Sequence, residues 1–393
     1  MAWHGLASTG TPAALPSRGN NRAFARAIDH ANAVSTQSNG AASRLNGGTR
    51  DSVQDVMISD ESKGDVVAVT VTYGERRTML IAVIEALRKE GVARVVVVDN
   101  GARWPVEDEL TDRFTGFVEI VSMGSNKGSA AGYAAGLDAA MASSMPFIWM
   151  LDDDNRPRPG CLAKLRKGYD EECASTPSAL LAVVALRPEH FAGGVSAKQL
   201  MTRWDSFGGF HIGDLLDKLI NRLPLPAALQ RREVSSARIA LGVAPYGGML
   251  FARSLVIRLG MPRLEFGQYG DDTEFTWRIT SSGGRIVQIG DAIVDDLEDA
   301  FQQNAQLRNR FLGALLTDSA FRTYYTFRNL AYFESRFRRR NRLIFALNRY
   351  VYFAILRHYA RQSGHLERYR FIRQSSDEGL AGDLTPSARF PLQ

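Results

Sequence analysis

The sequence has few features of disulfide-rich, secreted or membrane-spanning proteins. Its 393 residues include two cysteines, Cys161 and Cys173, which predict neither a disulfide framework nor a zinc site and favour a reducing setting. The sequence contains no uninterrupted run of about 18 apolar residues, so no transmembrane helix is predicted. The N-terminus lacks the apolar core of a secretory signal. We therefore expect a cytoplasmic protein without a membrane span.

Two common nucleotide-binding motifs are also missing. The chain contains neither G-x-G-x-x-G nor G-x-x-x-x-G-K-[ST], which argues against a dinucleotide-binding Rossmann site and against a P-loop. The formal net charge of +6 is mild for a chain of this length, so the position of the charges matters more than their sum. An apolar share of 45% is ordinary for a globular protein.

Buried strands and amphipathic helices alternate from residue 65 onward. This alternation predicts an α/β protein with a parallel sheet flanked by helices and joined by right-handed crossovers. We expect a catalytic domain over residues 63–335 and a helical extension over 336–393. Residues 1–62, rich in Ala, Ser, Asn and Gly, are predicted to be disordered or loosely ordered. Residues 190–240 are interpreted as an inserted segment near the substrate.

Three consecutive carboxylates follow an apolar strand at Asp152, Asp153 and Asp154. Repulsion and desolvation make such a cluster costly unless a cation compensates it, and hard oxygen ligands suit Mg²⁺ or Mn²⁺. Because alternate residues of an extended chain point the same way, Asp152 and Asp154 are predicted to form a metal and nucleotide-diphosphate site. An acidic turn that caps the next helix is the alternative interpretation.

Polar residues also follow the neighbouring predicted strands, at the edge where open α/β sheets bind ligands. They are Thr72, Tyr73, Asp99, Asn126 and Gly128. Asp99 could accept hydrogen bonds from a base or ribose, and Gly128 would let backbone approach a ligand. Ordinary turn chemistry explains each of these residues when it is considered alone.

A second constellation combines a double glycine, Gly247 and Gly248, with acids at a predicted helix start. Of Asp271, Asp272 and Glu274, at least one must be a scaffold acid, because the three cannot all face one way. One carboxylate directed into the cleft could act as a general base. The alternative is that these acids only stabilise the helix, through the favourable interaction of negative charge with the dipole at its N-terminus.

Taken together, these pieces resemble an inverting family 2 glycosyltransferase of the GT-A fold, over about residues 65–335. The resemblance implies a mixed, mainly parallel sheet flanked by helices, with a C-terminal helical extension. The matching segments are VTVTY at 69–73, VDN at 98–100, NKG at 126–128, LDDD at 151–154, GDDTE at 270–274 and YYTFRN at 324–329. The nearest resemblance is to the rhamnosyl- and galactofuranosyltransferase-like branch.

The resemblance implies a UDP- or dTDP-sugar donor and a divalent cation, Mg²⁺ or Mn²⁺. It implies that Thr72, Tyr73 and Asp99 hold the base and ribose, that Asn126, Gly128, Asp152 and Asp153 contact the donor, and that Asp152 and Asp154 bind the metal. Asp272 would be the base, with Gly247, Gly248, Asp271 and Glu274 at the acceptor or in support. Asp296 stands where many relatives have a histidine, and would be a further metal ligand.

Arginines concentrate near the C-terminus, between residues 336 and 373, interspersed with apolar and aromatic residues. This pattern is typical of amphipathic helices that lie on an anionic membrane surface. Packing against the catalytic domain is the alternative, and no motif supports nucleic-acid binding. We expect a peripheral protein at the inner face of the plasma membrane, acting on a glycan or lipid-linked glycan in bacterial surface polysaccharide assembly. A nucleotidyltransferase, or a non-catalytic membrane-associated protein on the same scaffold, remains an alternative.

Overall fold

The computed structural model describes residues 64–188, 203–214, 238–298, 309–317 and 319–392. The predicted extension over 1–62 lies outside these residues, as does most of the segment predicted to be inserted at 190–240.

Strands and helices alternate through the first part of the described chain, as the sequence predicts. The strands are β1 (Val66–Gly74), β2 (Arg94–Ala102), β3 (Val118–Ser122), β4 (Phe147–Asp152), β5 (Asn155–Pro157), β6 (Leu181–Leu186), β7 (Arg238–Leu241), β8 (Met249–Ala252) and β9 (Arg285–Asp296). The helices are α1 (Arg77–Lys89), α2 (Val106–Arg113), α3 (Ser129–Ala142), α4 (Cys161–Cys173), α5 (Arg253–Leu259), α6 (Asp271–Ser281), α7 (Arg310–Leu316), α8 (Ala320–Phe337), α9 (Arg342–Gln362) and α10 (Leu366–Ala381).

The sheet is mixed, with strand order β3-β2-β1-β4-β8-β6-β9-β5, and β7 pairs with β9. The first four strands in this order are parallel. β8 then runs antiparallel between β4 and β6, and β6 is parallel to β9. The predicted fold class, a mixed and mainly parallel sheet flanked by helices with a C-terminal helical extension, is confirmed.

Both faces of the sheet are covered, which explains why its central strands are apolar almost throughout. Alternate residues of β1 show this arrangement: Val66 and Ala68 pack with α1, α2 and α4, whereas Val67 and Val69 pack with α3, α5 and α6. β4 is apolar up to its last residue, Asp152, whereas single polar residues such as Thr70 in β1 and Gln288 in β9 are buried within their strands.

A separate apolar cluster joins the C-terminal helices. α7, α9 and α10 contribute Leu315, Phe353 and Ile372, and the described part of the predicted insertion contributes Phe207 and Phe210. Phe207 lies 5.4 Å from Phe353 between ring centroids. None of the described helices combines the length and the apolar character needed to cross a membrane.

Candidate functional site

The polar ends of β1, β4 and β6 meet the start of α6 around a cavity of about 430 Å³. Seven of the residues predicted from the sequence line it: Tyr73, Asn126, Asp152, Asp153, Asp154, Asp271 and Asp272. A larger cavity of about 800 Å³ lies along another side of α6, where Trp204, Trp277 and Phe333 contribute to its wall. Its lining contains none of the predicted residues, so the smaller, acid-lined cavity is the candidate site.

The three consecutive acids face different partners. β4 ends at Asp152, and the chain turns through Asp153 and Asp154, so the alternation expected of an extended strand does not continue past Asp152. Asp152 accepts hydrogen bonds from the Tyr133 hydroxyl at 2.7 Å and from Arg187 Nη1 at 3.1 Å. Asp153 and Asp154 instead lie beside Arg76, whose Nη1 is 2.8 Å from Asp153 and 3.6 Å from Asp154.

Burial makes ionisation of the acids at this turn harder. It raises the pKa of Asp153 to about 7, against the opposing effect of Arg76. It raises the pKa of Asp154 to about 6, and the charge of Asp152 adds to that shift.

Two arginines that sequence reasoning missed compensate these acids. Arg76, just after β1, also pairs with Glu298 and lies 4.8 Å from the ring centroid of Tyr73. Arg187, just after β6, lies between Asp152 and Asp296. Burial lowers the pKa of Arg187, but the charges of Asp152 and Asp296 outweigh burial and raise that pKa above its ordinary value. The only signal available in the sequence was that each arginine follows a buried strand at the same sheet edge.

The arrangement does not fit a divalent cation held by Asp152, Asp154 and Asp296. Asp296 Oδ1 accepts from Arg187 Nη2 at 2.6 Å and from Asn155 Nδ2 at 2.8 Å, and Asn155 Nδ2 also contacts Asp154 Oδ1 at 3.0 Å. Guanidinium or amide donors therefore contact at least one oxygen of each of these three acids. Across the described ranges, no group of three or more His, Cys, Asp or Glu side chains could hold a metal ion.

The start of α6 brings Asp271 and Asp272 to the cavity and turns Glu274 elsewhere. Glu274 is buried and pairs with Arg263 at 3.0 Å and with Arg278 at 3.2 Å, which is the arrangement of a scaffold acid. Asp271 is buried and accepts from the Ser129 hydroxyl at 3.0 Å. Asp272 is half-buried, and its Oδ1 accepts from the backbone N–H of Thr273 at 2.6 Å.

Both acids at the start of α6 have raised pKa values. Burial, followed by the charge of Asp272, raises the pKa of Asp271 to about 8. Burial also raises the pKa of Asp272, and the charge of Asp152 adds to that effect. A carboxylate with a raised pKa is a better proton acceptor near neutral pH than an exposed aspartate.

Several predicted donor-binding residues have structural partners of their own. Thr72 is fully buried, and Asp99 Oδ1 accepts from the backbone N–H groups of Gly101 and Ala102 at 3.1 and 2.8 Å. Asn126 Oδ1 accepts from Gly128 N at 2.8 Å and from Asn100 Nδ2 at 3.1 Å. Of Thr72, Asp99, Asn126 and Gly128, only Asn126 lines the cavity, and the roles predicted for these residues toward the donor stay predictions.

The predicted glycines are needed for close contacts within the chain. Gly128 has a φ of +86°, and a Cβ there would collide with the carbonyl of Gly267, in the loop before α6. A Cβ on Gly247 would lie 2.5 Å from Arg187 Nη1. Gly248 has a φ of +87° and donates its N–H to the carbonyl of Met150 at 2.9 Å. Gly247 thus leaves room beside Arg187, and the acceptor or support roles predicted for Gly247 and Gly248 stay predictions.

The loop before α6 is held by α8. Asn329 is fully buried, and its Nδ2 lies 2.7–2.9 Å from the carbonyls of Phe266, Gln268 and Tyr269. Tyr269 needs such support because its φ is +65°, which is unfavourable for a bulky residue. The YYTFRN segment at 324–329, which carries part of the sequence resemblance, therefore positions the start of α6.

Comparisons with known proteins agree with the sequence resemblance at the level of the domain. Residues 67–235 match the family model described as Glycosyl transferase family 2. No curated protein matches the sequence.

Three solved structures are similar at low identity. The chain is 14% identical to GalNAc-T7 crystallised with UDP, GalNAc and Mn²⁺, over 60% of this chain and 44% of that chain, with a TM-score of 0.43. It is 12% identical to S. aureus TarS, over 79% of this chain and 55% of that chain, with a TM-score of 0.41. It is 12% identical to S. aureus TarS residues 1–349 in complex with UDP, over 70% of this chain and 73% of that chain, with a TM-score of 0.38.

The chain spans 44% of the GalNAc-T7 chain and 55% of the longer TarS chain. The family match begins in β1, includes the three acids after β4 and covers less than half of the chain.

Proposed function

We propose that this protein is an inverting glycosyltransferase that takes a sugar from a nucleotide-diphosphate donor, with Asp272 as the general base. One observation carries the proposal: Asp272 lines the same 430 Å³ cavity as the acids and arginines at the ends of β1, β4 and β6. A base and a set of charged groups around one cavity are the two elements that such a transfer needs.

The proposed transfer forms one bond and breaks another at the anomeric carbon. The acceptor hydroxyl oxygen forms a bond to the anomeric carbon, and the bond from that carbon to the diphosphate oxygen breaks. The electron pair leaves with the diphosphate, and the hydroxyl proton passes to the Asp272 carboxylate. Attack from the face opposite the diphosphate inverts the anomeric carbon. Asp271 is more deeply buried and accepts a hydrogen bond from the Ser129 hydroxyl, so Asp272 is the more accessible of the two acids.

A screen of donors tests this proposal. Purified protein is titrated by calorimetry with UDP- and dTDP-sugars, beginning with rhamnosyl and galactofuranosyl donors, and the released nucleotide is identified. Binding with release of the nucleoside diphosphate is expected, because the bond that breaks lies between sugar and diphosphate. Release of the monophosphate would instead identify a nucleotidyltransferase, and no binding of any donor would overturn the proposal.

The acceptor is proposed to be a glycan or lipid-linked glycan at the inner membrane face, in bacterial surface polysaccharide assembly. Support comes from α9, where Leu343, Leu347 and Tyr350 follow helical spacing and are 82%, 48% and 74% exposed. Exposed Arg339 and Arg342 lie beside the start of this stripe. Apolar side chains next to arginines suit the surface of an anionic bilayer.

Leu343→Glu is expected to weaken binding to vesicles of phosphatidylglycerol and phosphatidylethanolamine about tenfold, since burying one leucine contributes roughly 1.5–3 kcal/mol. Co-sedimentation measures this effect, and wild-type binding should fall as salt is raised. Ile257→Glu is the matched control, because Ile257 is 70% exposed but lies on α5. Equal losses in the two variants, or no sedimentation of the wild type, would contradict the membrane proposal.

A further inference from the structure

Arg187 is a buried cation in the candidate cleft. It follows the apolar strand β6, is only 7% exposed and lines the cavity that contains Asp272. Removing a guanidinium from water costs free energy unless nearby acids compensate its charge. The two carboxylate partners of Arg187 provide this compensation.

The guanidinium bridges two acids from different strands. Its Nε and Nη2 donate to Asp296 Oδ1, at the end of β9, at 2.9 and 2.6 Å. Its Nη1 donates to Asp152 Oδ2, at the end of β4, at 3.1 Å. These contacts use three of the five N–H groups of an arginine, and the second N–H on each Nη is not used in them. Gly247 leaves the space that this bridge requires, since a Cβ there would lie 2.5 Å from Nη1.

The bridge supplies positive charge between two of the acids that were predicted to bind a metal ion. Mg²⁺ requires near-ideal octahedral geometry with oxygens at about 2.0–2.1 Å. At this site both oxygens of Asp152 and Oδ1 of Asp296 already accept hydrogen bonds from Arg187, Tyr133 or Asn155. A planar guanidinium also binds phosphate oxygens through paired N–H groups, which a buried arginine facing a donor cleft is suited to do.

We infer that Arg187, in place of a divalent cation, supplies the positive charge that compensates the diphosphate of the donor. This inference rests on the proposed function. It also explains how Asp296 is tolerated near a diphosphate: its negative charge is matched by the guanidinium that it holds in position. Nucleotide binding in the wild type is therefore independent of metal.

The test measures the affinity for UDP and dTDP by calorimetry, in excess EDTA and in saturating Mn²⁺, for the wild type, Arg187→Met, Arg187→Lys and Arg158→Met. Arg158 is the matched control, because it pairs with Asp295, the neighbour of Asp296 on β9, and does not line the cavity. Mn²⁺ binding is followed separately by electron paramagnetic resonance. Thermal unfolding reports whether each variant folds.

The wild type and Arg158→Met are expected to bind nucleotide with affinities that change less than about threefold between EDTA and Mn²⁺. Arg187→Met is expected to lose about tenfold or more in EDTA and to recover with Mn²⁺, because its acids become free to bind the ion. Arg187→Lys keeps the charge without the fork, so reduced but metal-independent binding is expected. If Arg187→Met does not fold, the lysine variant decides the question.

A tenfold loss of wild-type affinity in EDTA would overturn the inference and leave the proposed function intact. Equal affinities of Arg187→Met and Arg158→Met in EDTA would overturn it as well, because Arg187 would then be a structural ion pair only. Absence of nucleotide binding in the wild type under both conditions would end the proposed function and this inference together.

Discussion

Asp272→Asn is expected to lower the rate of sugar transfer by about 10²–10⁴-fold, the usual contribution of a general base. Donor binding should change little, because the amide keeps the size of the carboxylate and can still accept from the backbone N–H of Thr273. The measurement is a transfer assay combined with calorimetric titration of the donor. Loss of transfer with retained binding separates a base from a residue that only holds the nucleotide.

The pH dependence of transfer provides a second readout of the same residue. The base must be ionised to accept a proton, and burial raises the pKa of Asp272, so the rate should fall as pH drops through a value above that of an exposed aspartate. Asp295→Asn is the control, because Asp295 pairs with Arg158 and does not line the cavity. Transfer by Asp272→Asn at the wild-type rate would remove Asp272 from the mechanism.

Asn329→Ala is expected to reduce both stability and transfer. It removes the amide donor from the buried carbonyl of Phe266 and from the partly buried carbonyls of Gln268 and Tyr269. A polar group left buried and unsatisfied costs about 1–3 kcal/mol. The freed loop leads directly into α6. A shift of about 1 Å at Asp272 would lower transfer by up to about 10²-fold. Thermal unfolding and the transfer assay measure the two effects.

Asn348→Ala is the control that separates the loss of stability from the loss of transfer. Asn348 is also fully buried on a C-terminal helix, where it accepts from Ile212 N at 2.9 Å and donates to the Asp205 carbonyl at 2.7 Å. It does not line the candidate cleft. A similar loss of stability with unchanged transfer is expected. Equal losses of transfer in the two variants would show that Asn329 acts through global stability alone.

The sequence predicts the architecture well because periodicity and strand-end chemistry are local signals. The apolar run before Asp152 gives β4, and the acids at 271–274 give the start of α6. The antiparallel insertion of β8 between β4 and β6 is not local, since it depends on which strands pair. Alternation of strands and helices alone could not reveal it.

The chemistry of the cleft was harder to predict because it depends on long-range pairs. Asp152 and Asp154 were expected to share one side, but β4 ends at Asp152 and the following turn directs the acids to different arginines. Arg187 is 35 residues from Asp152 and 109 residues from Asp296, and nothing in its neighbourhood in the sequence marks it as a bridge. The YYTFRN segment carried the resemblance, whereas its contact with the loop before α6 needed the fold.

A structure of the protein with a bound nucleoside diphosphate tests the central claim most directly. We predict that the diphosphate lies in the cavity lined by Tyr73, Arg187 and Asp272. The Asp272 carboxylate should face the side of the sugar from which the acceptor attacks. A nucleotide bound elsewhere, or bound with Asp272 on the side of the leaving group, would contradict the account.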